Sequence, residues 1–323
     1  MNESSWAAAG MLAAGDPENP AELCHLADLS TRLYPEYLRH IELLSAHPVP
    51  TRTSIALQGT SPDAPEYHCG RPLQPSELAT LAPGILTSGR NFRVLDEASI
   101  DPRDLCAALP QAVRAANITL LEDTHVITAR SRPDGIDIET TRGKISAEAF
   151  INCAGSWSPQ IQSTLPVTPR KGQSLCVRLP PGVTLRCVIR TPELYLVPRG
   201  DGRVIIGATV EDTGFDKQVD PASIDSLWQQ AAALWPPIAS ATLMESWAGL
   251  RPATSDGLPI IGPIAGHPNH YVATGHFRNG ILLAPATAHL VSQLLRGLPT
   301  AIDIAPFRSQ RFAPALANTL TNP

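Results

Sequence analysis

At 323 residues, with 43% hydrophobic and 17% charged side chains, the chain can bury a sizeable core and is long enough for two domains. A formal net charge of −5 argues against nucleic acid as the main partner. No apolar run reaches the length that spans a bilayer, so no transmembrane segment is expected.

The N-terminal WAAAGMLAAG (Trp6 to Gly15) is apolar but follows Glu3 and lacks a basic leader, so a signal peptide is not expected. Residues 20 to 45 alternate apolar and polar residues at helical spacing. From Thr51 to about Arg90 the character changes to short strands and loops. Asp101 then reads as an N-cap with Pro102 at the first helical position, and Pro110 is expected to kink or shorten the helix that follows. Strand-like runs come next: ITLLE from Ile118, HVITA, GIDIET and KISAEAF, leading to FINCAG (Phe150 to Gly155) and a helix start at SWSPQI.

Residues 167 to 208 are again strand-rich, with a hairpin turn at the GDG of 200 to 202. A helix over 221 to 235 ends at Pro236-Pro237. The last section runs from ESWAGLRPATSDGLPIIGPI through YVAT (Tyr271 to Thr274) to GHFRNG, then an apolar helical run that stops at Gly297. GHFRNG therefore occupies a strand-to-helix junction. The N–H groups opening a helix are unpaired and partly positive, so such a junction favours anions and electron-rich ligand atoms, although a packed polar turn has the same appearance.

The six cysteines (Cys24, Cys69, Cys106, Cys153, Cys176, Cys187) form no CxxC pair and read as buried thiols of a reducing compartment. Histidines show no metal-ligand spacing, and His267 and His270 flank a turn and read as surface residues; no metal site is expected. Only Lys144, Lys171 and Lys217 are lysines, so arginine carries most positive charge. That suits carboxylate or phosphate recognition, and genome composition explains it equally well.

Four stretches combine in a recognisable order: SSWAAAGML, INCAGSWS, YLVPRGDGRVIIGAT, and WAGLRPATSDGLPIIG with GHFRNGILLAPAT. The chain resembles the D-amino-acid oxidase family of FAD-dependent oxidoreductases, and within it the glycine oxidases of thiamine biosynthesis. The resemblance implies an α/β plus α+β architecture. A FAD-binding domain of glutathione-reductase-like type would occupy 1–50, 99–165 and 247–316. A mixed-sheet substrate domain would occupy 51–98 and 166–246.

By the same resemblance, Arg251 would pair with the substrate carboxylate, Tyr195 would share it, and Arg278 would be a second guanidinium near the substrate. Structural salt bridges and a core aromatic are the plainer alternatives for these three. Ala8, Ala9, Gly10, Met11, Ala154 and Gly155 would lie near the cofactor, as would His276, Arg278, Asn279, Gly280 and Ile281. Val126 would meet the adenine, or is an ordinary strand valine.

The implied reaction is oxidation of glycine or a small D-amino acid by hydride transfer to FAD, giving an imino acid and hydrogen peroxide, with no protein base required. A dehydrogenase passing electrons to a quinone or carrier, and an inactive remnant, are the alternatives. A small amino acid and oxygen would be the partners, with a cytoplasmic location and a homo-oligomer as further expectations. The family's opening βαβ unit with GxGxxG is missing from this sequence, and the chain is therefore expected to be an N-terminally shortened form. Losing about five buried aliphatic side chains at roughly 1.5–3 kcal/mol each, against a net stability of about 5–15 kcal/mol, would loosen the domain and weaken FAD binding.

Overall fold

The computed structural model describes residues 3–61, 63, 67–267 and 269–312. In chain order, α1 (Ser4–Ala7) and α2 (Cys24–Ser45) precede β1 (Thr51–Thr53), β2 (Ala56–Thr60) and β3 (Arg71–Pro72). Then come α3 (Pro75–Leu81), β4 (Asn91–Leu95), β5 (Ser99–Ile100) and α4 (Pro102–Ala115). The middle of the chain holds β6 (Val126–Arg132), β7 (Gly135–Thr140), β8 (Gly143–Ala147), β9 (Phe150–Asn152) and α5 (Ser158–Ile161). It continues through β10 (Thr168–Arg178), β11 (Val188–Arg190), β12 (Tyr195–Pro198), β13 (Arg203–Gly207) and α6 (Pro221–Leu234). The last elements are β14 (Thr242–Ala253), β15 (Ile260–Pro263), β16 (His270–Thr274) and α7 (Gly280–Leu295).

Eight strands form the largest sheet, in the order β14-β10-β13-β12-β11-β2-β4-β3. Its longest pairing is β10 against β14, antiparallel, with Arg170 opposite Arg251 and Gly172 opposite Gly249. Both faces are covered, and the two-residue period of the strand decides which side chain goes where. Leu175 and Val177 point to a core completed by Ile224, Leu227 and Ala231 of α6 together with Trp235. Cys176, with Val197, Ile205 and Trp247, points to the other face, where Trp6 and Ala9 cover it.

A three-stranded sheet, β15-β16-β9, carries the opposite end of the molecule, with β16 parallel to β9. On it α2 and α7 pack through Leu26, Leu29, Ile41, Leu283 and Leu290. The start of α7 shows how sequence is matched to packing. Pro285 has no N–H for the carbonyl four residues earlier, and the buried Tyr34 hydroxyl of α2 donates to that carbonyl, Ile281 O, at 2.7 Å. Ser30 does the same for Leu282 O at 2.6 Å. β6, β7 and β8 form a separate antiparallel sheet.

Several expectations are met in detail. Asp101 caps α4 by accepting from Arg103 N, and the GDG turn has Gly200 and Gly202 at positive φ between β12 and β13. Others need correction. α4 runs through Pro110 to Ala115. Residues 118 to 122 are not a strand, and Ile118 and Leu121 stand exposed, because no neighbouring strand pairs with them among the described residues. Cys24, Cys69 and Cys153 are exposed, and only Cys106, Cys176 and Cys187 are buried. His270 is fully buried, its ring set edge-on to Phe150 at 5.0 Å, because the first residue of β16 turns inward beside β9. The stretch 313–316, expected in the cofactor domain, lies outside the described residues. No helix among those residues is long and apolar enough to cross a membrane.

Candidate functional site

A cavity of about 1510 Å³ runs between the large sheet and the α7 end. That exceeds the roughly 300–1,000 Å³ usual for a small-molecule pocket, leaving room for a dinucleotide-sized ligand beside a small one. Every residue expected at cofactor or substrate lines it except Val126, which sits in β6 away from the cavity wall.

The N-terminal segment makes one wall. Trp247 Nε1 donates to Ala7 O at 2.9 Å, and the Ser4 hydroxyl donates to Leu250 O. Arg103 stacks on the Trp6 ring at 3.7 Å while pairing with Glu245 at 2.5 Å, which fastens the segment from its outer side. Gly10 has φ +82°, and a Cβ there would come within 2.1 Å of Ile100 O, so no larger residue fits.

The junction at GHFRNG makes the opposite wall. Phe277 N donates to Pro252 O at 2.8 Å, which ties the junction to the residue following Arg251. The N–H groups of Gly280, Ile281 and Leu282 have no partner among the described residues, while Leu283 N bonds Asn279 O. His276 places Nε2 3.0 Å from Thr287 Oγ1, and burial pulls its pKa down to about 4, leaving it neutral near pH 7. That gives His276 a packing contact inside the wall.

Arg251 reaches the cavity from β14. Its guanidinium lies over Gly172, whose missing side chain makes the space, and Nη1 donates to Thr209 O at 3.0 Å. Burial lowers its pKa, and the neighbouring Tyr195 hydroxyl counteracts this. No carboxylate lies within ion-pair distance of Arg251 among the described residues. Tyr195 rests over Gly207 in the same way, with Ser174 Oγ 3.4 Å from its hydroxyl. Nearby Glu211 accepts from Gln173 at 2.7 Å and pairs with Lys171 at 3.5 Å. Burial alone would raise the Glu211 pKa, but donors from Gln173, Thr209 and Lys171 hold it low.

Arg278 also reaches the cavity, but its guanidinium is taken. Nη2 pairs with Asp16 at 2.9 Å and Nη1 with Glu18. Sequence reasoning missed this loop. Asn19 accepts from Asn279 Nδ2 at 2.9 Å, Glu97 accepts from Gly15 N at 2.7 Å, and Tyr67 donates to Gly15 O. Asp16-Pro-Glu-Asn is the signal that was available, an acidic turn directly after the small-residue run. Gly172 and Gly207 left no signal, since only the pairing of β10 with β14 and of β12 with β13 brings them under Arg251 and Tyr195.

Comparison with known proteins supplies the class of this fold and cavity. The family model of FAD dependent oxidoreductases (DAO) matches residues 1–294, and the chain belongs to that family. It is 37% identical over 219 residues to glycine oxidase of Geobacillus kaustophilus (strain HTA426), covering 67% of this chain and 58% of that protein. It is 32% identical over 340 residues to the bifunctional protein ThiO/ThiG of Trichormus variabilis, covering 98% of this chain and 51% of that protein. The chain thus spans little more than half the length of these two curated relatives. The crystal structure of glycine oxidase from Geobacillus kaustophilus superposes with a TM-score of 0.89 at 30% identity, covering 96% of this chain and 89% of that one.

FAD is the family's cofactor, and the cavity fits its ring end. The three unpartnered N–H groups at the start of α7 suit an electron-rich ring edge, and Gly280 presents no Cβ to hold a ligand off. The sequence contains no GxGxxG turn, so the diphosphate end meets no glycine-rich loop of that kind in these residues.

Proposed function

We propose that this protein oxidises glycine or a small D-amino acid, with FAD as the electron acceptor. The observation that carries the reading is Arg251: a half-buried guanidinium with no carboxylate partner among the described residues, stationed beside Tyr195 and one residue from the bond that anchors the α7 junction. A planar fork of donors left uncompensated in a low-dielectric cavity is matched by a ligand carboxylate. When bound, FAD supplies the acceptor for a hydride from the substrate's α-carbon and passes the electrons to oxygen as hydrogen peroxide.

The protein's part is to bind and orient. Arg251 and the Tyr195 hydroxyl hold the carboxylate, which fixes the face that the α-carbon turns toward the start of α7. Gly172 and Gly207 leave both side chains room to lie flat. The N–H groups of Gly280 to Leu282 would receive the electron-rich edge of the ring, and Ala8 to Met11, Ala154, Gly155, His276 and Asn279 would wall it. The division into a cofactor part (1–50, 99–165, 247–316) and a substrate part (51–98, 166–246) is retained as a functional division, although β14 spans the boundary at 247 as one strand. Val126 is given no role.

The test is the visible spectrum of the purified chain mixed with FAD, before and after anaerobic addition of glycine, sarcosine or D-alanine. Bleaching of the flavin band, followed by hydrogen peroxide when air is admitted, is the expected result. A bound flavin that none of the three amines bleaches would overturn the reading.

A further inference from the structure

Three guanidinium groups besides Arg296 line the cavity: Arg190, Arg251 and Arg278, the last close enough for its charge to act on Arg251. Arg190 is buried and pairs with the buried Glu97 at 2.8 Å. Arg278 is gripped by Asp16 and Glu18 together. Arg251 has no carboxylate partner, and the nearby Glu211 is engaged by Lys171, Gln173 and Thr209. A fourth cavity arginine, Arg296, follows the end of the sixteen-residue α7, about 24 Å along the helix from the junction at 1.5 Å per residue. Among the described residues, this part of the cavity therefore offers one guanidinium without a carboxylate partner, Arg251.

We propose that the site selects amines carrying a single carboxylate, and that Asp16 and Glu18 impose this by occupying Arg278. The inference rests on the reading of Arg251 as the carboxylate anchor. A second carboxylate on the substrate would need a second cation, and Arg278, whose charge acts on Arg251, is the candidate among the cavity arginines. It already faces two carboxylates, so the cluster of one arginine and two acids carries a formal charge of −1 (1 − 2). A further anion there meets net repulsion, or must displace an acid that has no other ion pair among the described residues. The sequence places both acids in one short turn, pinned by Glu97 to Gly15 N and by Asn279 to Asn19. The turn therefore acts as a charge filter at the cavity wall.

The test uses acetate and malonate as unreactive probes of one and two carboxylates, titrated against the full chain in excess FAD. Fluorescence of Trp6 and Trp157, which line the cavity, and calorimetry report binding without turnover. The wild type is expected to bind acetate about tenfold or more tightly than malonate. The double variant Asp16→Asn/Glu18→Gln, which keeps side-chain shape and hydrogen-bonding capacity, is expected to close or reverse that ratio. Flavin reduction by sarcosine against iminodiacetate should follow the same order. A wild type that binds malonate as tightly as acetate, or a double variant with an unchanged ratio, overturns the proposal. Arg251→Met is the control for the underlying reading: acetate binding that survives it overturns the anchor itself, and this inference with it.

Discussion

A Cβ placed on Gly172 would stand 2.1 Å from Arg251 Nη1 and 2.3 Å from its Cζ. The guanidinium occupies the space that a side chain on the opposing strand would fill. The clashing atoms are the far end of a flexible side chain, so Gly172→Ala should displace Arg251 while leaving the sheet intact. We expect thermal stability within about 1 kcal/mol of the parent. Carboxylate affinity should fall about 10- to 100-fold, the worth of hydrogen bonds to a charged group. Acetate titration alongside a melting curve checks both. An unchanged affinity would show that Arg251 is not the anchor.

Arg251 and Tyr195 should differ in what their loss does. Arg251→Lys keeps the charge but not the fork, and should raise KM about 10- to 100-fold, equivalent to roughly 1.5–3 kcal/mol. Tyr195→Phe removes a single neutral donor, and should cost about two- to tenfold. Steady-state kinetics on one amine measures both. Equal effects would contradict the division of labour.

Gly280 offers a way to separate cofactor binding from folding. A Cβ there meets only His276 Cβ, at 3.7 Å, and the position is helical. Gly280→Ala should therefore hold or slightly raise the stability of the flavin-free chain, by less than the roughly 1 kcal/mol that the exchange gives inside a helix, because Gly280 is the first residue of α7. Flavin affinity should fall if the ring approaches this backbone closely. Flavin titration of both proteins decides it, and an unaltered dissociation constant would remove Gly280 from the cofactor site.

The buried histidines set an acid limit on stability. Burial pulls His270 from 6.5 down to about 4, with His267 adding to the shift. A depressed histidine pKa means that the unfolded chain binds the proton first. Stability is thus full above about 6.5 and declines as pH falls toward 4, by at most about 3 kcal/mol for this one group. His270→Phe should flatten the decline in melting temperature across that window. A parallel decline in the variant would assign the acid sensitivity to other groups, among them His276, which burial likewise lowers to about 4.

The motifs that were legible are each a local run: Gly275 to Ile281 as a junction, Arg251 in GLRP, Asp101-Pro102 as a helix start. Residues missed by the sequence reading act through distant pairings. Gly172 matters because β10 and β14 lie in one register. Asp16 and Glu18 matter because a turn near the N-terminus folds onto a guanidinium some 260 residues away. His270 was misread because its turn, taken alone, looks exposed, and only β9 and Phe150 bury it. The strand expected at Ile118 failed for a related reason: a run of β-forming residues needs a neighbour to pair with, and propensity supplies none.

The strand β14 has a mechanical consequence. It carries Arg251, accepts Phe277 N at Pro252, holds Ser4 and Ser156 at Leu250, and grips Ala7 through Trp247. Anchor and junction are therefore mounted on one beam, and no joint lies between them. On the proposed reading, the span from a carboxylate held at Arg251 to the start of α7 is set by β14 and the Phe277–Pro252 bond. That proposed arrangement favours chemistry at the first carbon beyond the carboxylate over longer spacings between acid and amine. Val210, which lines the same cavity outside β14 and is exposed, is the wall position where substrate size can be retuned without touching that beam.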